Sequence, residues 1–391
     1  MDLNTSNSTP SAQRIWQRDD RYSFLLTALV WTLVVLMIVP EGFDYAILSK
    51  SYAPAAGSKI SRLLWLSLLS FSALFILWRA GLAWLLLRSL NLYFLIIVGL
   101  AIASVTWSIE PTLSVRRIVR MLTFVSVAIA FVLMAWHARR YQNVLRPILT
   151  IMLLGSIVFG LLFPDLAIHA ETSAELLGAW HGLANHKNGL GALAGFALIF
   201  WFHAWLTREV KALPALTGLS IAGLCLVLSR SSTAMAATGF VLLFILLILR
   251  TPTGLRPYMP YFVAIFLIGL VLYSLAILDL IPGQRLLLSP VTTLTGKDMT
   301  FTGRTGIWAI LTEHIRSSPF FGSGYGAYWA GPIADSPSYE FIRRMGAFYP
   351  GSAHNGYLEI LNDLGWAGLV ALFAYMVTYV VQSLRLLLVD R

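Results

Sequence analysis

AHNGYLEILNDLGWAGLVALFAYMVTYVVQ, residues 353–382, has two halves of opposite character. Residues 357–383 read as a membrane helix, since about 20 mostly apolar residues in a helix cross the hydrocarbon core of a bilayer. Yet His354, Asn355, Glu359, Asn362 and Asp363 crowd its mouth. Polar and ionisable groups at membrane depth are costly, which makes them functional-site candidates by default. The side of the membrane they face decides what they can do.

The same apolar pattern extends along the rest of the chain. Of its 391 residues 58% are hydrophobic, only 12% are charged and thirteen are Trp, a balance that excludes a soluble protein. Ten apolar runs stand out, at 23–40, 63–78, 89–107, 115–136, 147–163, 188–206, 213–229, 232–249, 258–281 and 357–383. None alternates as a barrel strand does. The expected fold is therefore an all-α polytopic integral membrane protein of about ten transmembrane helices with a large extracytoplasmic loop. Between the second and third runs, Arg79 and Arg88 flank AGLAWLLL, which reads either as a loop or as an interfacial segment. The first run resembles a secretion signal ahead of YAPAA, but its length and the spans that follow at once make it a membrane helix. Cys225 is the sole cysteine, so no disulfide can form within the chain.

Arg14, Arg18 and Arg21 precede the first run, and Arg139, Arg140, Arg146, Arg208, Lys211, Arg250 and Arg256 fill alternate short loops. The positive-inside rule then puts the N-terminus in the cytoplasm, and ten spans return the C-terminus there. Against that rule, Arg116, Arg117 and Arg120 open the fourth run from the outer side. They either snorkel to lipid phosphates or equip the outer face to hold an anion. The expected organisation is a cytoplasmic tail over 1–22, a bundle of nine spans over 23–281, a large periplasmic loop over 282–356, and a last helix with a short cytoplasmic tail over 357–391. The loop is rich in Gly, Pro and aromatic residues, with an amphipathic stretch GRTGIWAILTEHI at 303–315 and a turn-rich one, SSPFFGSGYGAYWAGP, after it. Loops of such length are disordered or functional, and aromatic content argues for order. A small ordered cap is expected.

Four blocks carry a resemblance: GLANHKNGLGALAG (182–195), LSRSSTAMAATG (228–239), TGRTGIWAILTEHIRSSPFFGSGYGAYW (302–329) and AHNGYLEILNDLGWAG (353–368). In this order the chain resembles the O-antigen ligase and polymerase superfamily over roughly 90–380, most closely its exopolysaccharide polymerisation members. The last block is the most specific, with His354 and Asn355, nine intervening residues, then Gly365 and Gly368. The resemblance implies a glycosyltransferase of GT-C-like architecture in the bacterial cytoplasmic (inner) membrane, its active site facing the periplasm. Such an enzyme moves an oligosaccharide from undecaprenyl diphosphate to a hydroxyl of an acceptor glycan or of lipid A core. No cofactor, metal or nucleic acid is implied; membrane lipids, a chain-length regulator and a flippase are the further partners. Relatives commonly carry another helix or two beyond the last block.

Chemistry supplies a matching list of needs: cations where charge develops on the diphosphate, and a proton acceptor near the acceptor hydroxyl. Arg304, between Gly303 and Gly306 at the start of a helix, is the first candidate clamp, since a guanidinium grips phosphate in bidentate fashion and helix N-termini favour anions. Arg230 is the second, although two registers of its block are possible, the other placing Ser232 there; Arg116, Arg117 and Arg120 are substitutes. His354 is the candidate catalytic base, because an imidazole near its ordinary pKa accepts a proton at physiological pH. Asn355 orients the acceptor or caps the helix, while Glu359 and Asp363, four residues apart, are expected to hold neighbours rather than react. Gly365 and Gly368 read as a notch for a packed helix. Asn185, Lys187 and Asn188 are candidate substrate contacts or helix caps, and the spacing of His181 and His186 is poor for a metal. Tyr325, Tyr328 and Trp329 would stack sugars or form an interfacial belt.

Two other classes fit less well. A secondary transporter calls for inverted repeats and polar groups at the midplane, whereas these cluster at one surface. A glycosidase needs an opposed carboxylate pair, and Asp298, Glu313, Asp335 and Glu340 show no such spacing.

Overall fold

The structure is a computed structural model that describes residues 23–43, 45, 58–134, 138–170, 176–252, 254–277, 304–331, 333–346 and 349–389. Each of the ten apolar runs forms a helix within its described residues. They are α1 (Ser23–Ile38), α2 (Lys59–Trp78), α4 (Leu92–Ala103), α5 (Pro111–Met134), α6 (Ala138–Leu162), α8 (Lys187–Leu206), α9 (Ala212–Leu228), α10 (Ser232–Arg250), α11 (Met259–Ile277) and α14 (Gly356–Val389). Between them lie α3 (Ala80–Ser89), the short α7 (Pro164–Ala167), α12 (Arg304–Ile315) and α13 (Glu340–Met345). AGLAWLLL is thus helical. Among the described residues five helices are long and apolar enough to cross a membrane, six if α3 and α4 together form one span. Helices α1 and α9 are apolar but have only 16 and 17 residues. The chain is an all-helical, multi-pass membrane protein.

Contacts divide it into two compact units, one of Met1–Arg88 with Val119–Leu249, the other of Ser89–Ile118 with Arg250–Arg391. In the first unit α8 packs on α9 and α6 around Leu153, Leu190, Ala194, Ala197 and Ala222, all buried. Small residues let these helices approach. A Cβ added at Gly195 would stand 2.3 Å from the Thr238 hydroxyl of α10, closer than any real contact.

In the second unit α4 and α11 flank α14. Asn91 caps α4, accepting from the Tyr93 amide at 2.9 Å, and donates to Thr378 of α14 at 2.6 Å. The described part of the long loop has an apolar core of its own, in which Ile307, Leu311 and Ile315 of α12 meet Tyr328, Trp329 and Phe341. Ile307, Leu311 and Ile315 form the i, i+4, i+8 row of α12, which is why the amphipathic stretch folds there.

α14 breaks at Gly365, whose φ of 63° and ψ of −162° lie outside the helical region. Such a pair of angles is open essentially to glycine alone. The break frees four groups: the carbonyls of Asn362 and Asp363, and the amides of Trp366 and Ala367, which a continuous helix would pair with them. A single segment satisfies all four. Ser323 donates to the Asn362 carbonyl at 2.8 Å and Gly324 to the Asp363 carbonyl at 3.0 Å, while the amides of Trp366 and Ala367 donate to the carbonyls of Pro319 and Phe320 at 2.8 and 3.1 Å. Gly365 therefore seats the turn of the cap; a Cβ there would lie 2.3 Å from the Phe320 carbonyl carbon. The expectation of a helix-packing notch at Gly365 and Gly368 is corrected accordingly, since Gly368 faces Leu364 of its own helix.

Candidate active site

The polar mouth of α14 is built by local capping. Asn355 accepts from the Tyr357 and Leu358 amides at 3.0 and 3.4 Å, so it caps the helix as its side chain suggests. Immediately before it, His354 has φ +49°, in the left-handed region. For a residue with a Cβ this costs on the order of 1–3 kcal/mol and persists only where the surroundings over-determine it. Here they do. Ala353, fully buried, donates its amide to Glu359 Oε2 at 2.8 Å and accepts at its carbonyl from the Trp308 indole of α12 at 3.0 Å. His354 as a residue stays exposed, although its ring is packed closely enough to be partly desolvated.

Arg304 is the first residue of α12, half-buried, and its charge reaches His354. The His354 pKa is lowered from the ordinary imidazole value, first by desolvation and then by the Arg304 guanidinium, while a hydrogen bond with the Pro350 backbone opposes the shift. The imidazole is thereby kept neutral, and so free to accept a proton, down to a lower pH. Two expected site residues 50 positions apart are thus brought together, one cationic at a helix N-terminus, the other able to take a proton. Gly303 lies outside the described residues.

Arg117 of α5 takes a different place from the one expected of a diphosphate clamp. Its guanidinium donates to the Trp329 carbonyl at 3.1 Å, and its charge acts on Glu359, Asp363, Tyr325 and Tyr349. Gly326, at φ +66°, makes the approach possible, since a Cβ there would lie 2.1 Å from Arg117 Cδ. The Gly326 amide donates to buried Asp363 at 2.7 Å. Asn362, buried beside it, donates to Asp363 Oδ1 at 3.3 Å. Glu359 and Asp363 thus hold neighbours, in line with their spacing. Arg116, half-buried, precedes Arg117 on the same turn. Arg120 belongs to the first unit, where it pairs with Glu41 and lies over the Trp65 ring.

The aromatic candidates separate. Trp329 is 4% and Tyr328 1% exposed. Trp329 stacks on Phe341 at 5.3 Å and meets Tyr328 and Tyr349 edge-on at 5.0 and 6.2 Å. These rings are the core of the cap, with no face left for a sugar. Tyr325 is half-buried, its amide held by the Ser104 hydroxyl at 2.9 Å.

The remaining candidates lie in the first unit. Arg230, exposed at φ +47°, donates to the Leu177 carbonyl at 2.9 Å over Gly178, whereas Ser232 opens α10. Asn185 is exposed, with its amide on the Ile38 carbonyl at 3.2 Å. His186 caps α8, the Lys187 amide donates to His169 at 3.3 Å, and Asn188 accepts from Ser231 at 2.9 Å. His169 was not singled out from the sequence. Its ring meets those of His181 and His186 at 4.8 and 5.1 Å, and desolvation pulls its pKa down to about 4, so it is a neutral acceptor in this turn. Trp308 and Ser104 were likewise missed; each acts through a contact that no local pattern announces.

Residues 217–373, which include Arg230, Arg304, Tyr325, Trp329, His354 and Asn355, match the family model described as O-antigen ligase. Over 305 residues the chain is 30% identical to the exopolysaccharide production protein ExoQ of Rhizobium meliloti (strain 1021), a match covering 74% of this chain. It spans 65% of that relative's length. No solved structure matches. The chain is a multi-pass membrane protein that is similar over residues 217–373 to the O-antigen ligase family and, over a longer stretch, to an exopolysaccharide production protein.

Proposed function

We propose that this protein is a glycosyltransferase of the bacterial inner membrane, with about ten spans and its site on the periplasmic face, which polymerises exopolysaccharide repeat units. The donor is an oligosaccharide on undecaprenyl diphosphate and the acceptor a hydroxyl of a second glycan. The reading rests above all on His354 standing within electrostatic reach of Arg304, inside the matched domain. In the step itself the acceptor oxygen bonds to the anomeric carbon as the carbon–oxygen bond to the diphosphate breaks. His354 takes the hydroxyl proton, and Arg304 stabilises the charge that develops on the leaving diphosphate. Arg116 serves as the second cation, Asn355 contacts the glycans, and Tyr325 offers a half-buried ring; Arg230, Asn185 and Lys187 are candidate substrate contacts of the first unit. A chain-length regulator and a flippase are the partners that such a cycle requires.

The O-antigen ligase description of the matching family favours a second reading, in which finished chains pass to lipid A core. Deletion of the gene separates the two. A polymerase mutant accumulates single repeat units on the carrier or loses the polymer. Long chains on the carrier with bare lipid A core would refute polymerisation in favour of ligation, and an unchanged glycan profile would refute both.

A further inference from the structure

His354 is exposed, yet its backbone is held in a conformation that an exposed, unsupported residue would leave. The restraint comes from behind it. Glu359 lies one turn into α14 and reaches back to the Ala353 amide at 2.8 Å, directly before His354. On its other side Glu359 feels the Arg117 guanidinium, which is fixed by the Trp329 carbonyl and by the space that Gly326 leaves. Asp363, one turn further on, feels the same charge and accepts from the Gly326 amide at 2.7 Å. The hydrogen bond therefore runs from the Ala353 amide, directly before His354, to Glu359, while the charge of Arg117, fixed by the Trp329 carbonyl, acts on Glu359 from further back. Nothing in this arrangement requires Glu359 or Arg117 to touch a substrate.

We propose that Glu359, backed by Arg117, is the positioning residue of the site, locking the Ala353–His354 turn so that the His354 imidazole is presented toward Arg304. This rests on the proposed role of His354 and assigns Arg117 to the support of the site instead of to the carrier diphosphate. A glutamine at 359 keeps a carbonyl oxygen for the Ala353 amide, whereas an alanine leaves that buried amide without a partner.

The test uses the full-length protein in lipid nanodiscs with two separate readouts. The first is amide hydrogen exchange over 349–358, which needs no activity. Glu359→Ala is expected to speed exchange there at least about tenfold, with Glu359→Gln close to the parent chain. The second is transfer from an undecaprenyl-diphosphate-linked repeat unit. Glu359→Ala should lower kcat about 100-fold with the donor KM within about twofold, the signature of a misplaced catalytic group. Glu359→Gln should retain activity within about tenfold, and Glu359→Ala combined with His354→Ala should be no slower than His354→Ala alone. Unchanged exchange in Glu359→Ala overturns the positioning role whatever the kinetics show. A rise in donor KM without loss of kcat also overturns it, by making Glu359 a binding group. Full activity of His354→Ala would instead refute the functional reading, and the exchange result then decides the positioning claim by itself.

Discussion

Replacing Gly365 with alanine tests whether the break in α14 holds the cap in place. The added Cβ would lie 2.3 Å from the Phe320 carbonyl carbon, 2.4 Å from its oxygen and 2.5 Å from the Phe321 amide nitrogen, all main-chain atoms that no rotamer change can move aside. The backbone angles alone cost an alanine about 1–3 kcal/mol. If the 319–324 turn retreats, the four main-chain hydrogen bonds across the break are strained, and losing half of them costs about 2 kcal/mol more. The sum, about 3–5 kcal/mol, corresponds to a Tm lower by on the order of 6–10 °C at roughly 2 °C per kcal/mol for a protein of this size. Thermal unfolding of the purified protein in detergent measures it, with Gly239→Ala as the comparison. A Cβ at Gly239, inside α10, meets nothing within 4 Å, so that change should leave Tm level or raise it slightly. Equal melting temperatures for the two variants would refute the account of α14 as a helix broken to seat the cap.

Four further outcomes follow from the site. Arg304→Lys keeps the charge but loses the guanidinium fork, so in vitro transfer should fall at least about tenfold while Arg316→Ala, an exposed change on the same segment, stays near the parent rate; equal mild losses would return Arg304 to an ordinary surface cation. The His354 pKa is lowered in the folded protein, so its basic form persists below the ordinary imidazole value and the acid limb of kcat/KM should lie under pH 6.5. Removing the neighbouring positive charge raises that pKa, and Arg304→Gln should therefore shift the limb upward whereas Arg304→Lys should not; a limb that stays put in both refutes the coupling. Cysteines placed at 185, 304 and 354 should react with an impermeant thiol reagent in cells whose outer membrane alone is permeabilised, against little background from buried Cys225; labelling only after the inner membrane is broken would refute the orientation.

The helices were legible because their signal is local: an apolar run of sufficient length has no alternative in a bilayer but a helix, and all ten runs are helical within their described residues. Pairings across the sequence were not. Arg117 reads as a free outer cation because its neighbours Arg116 and Arg120 are basic, yet Trp329 and Gly326, more than 200 residues away, decide its place. Trp329 reads as a sugar platform because it sits in an aromatic, glycine-rich stretch, yet Phe341 and Tyr349 cover its ring. Gly322, Gly324 and Gly326, in the same turn-rich stretch, serve the close approach of the Asp363 main chain, of Ser108 and of Arg117. His354 and Asn355 were readable for the opposite reason, since a histidine and a cap at a helix mouth announce themselves in six residues. What no local reading supplies is the left-handed φ of His354 and the carboxylate that supports it from one turn inside the membrane helix. The polar residues at the mouth of α14 are therefore of two kinds: His354 is exposed, as its proposed role requires, while Glu359, Asn362 and Asp363 face inward and tie the helix to the cap. Their expense at membrane depth is offset by holding the His354 imidazole in place.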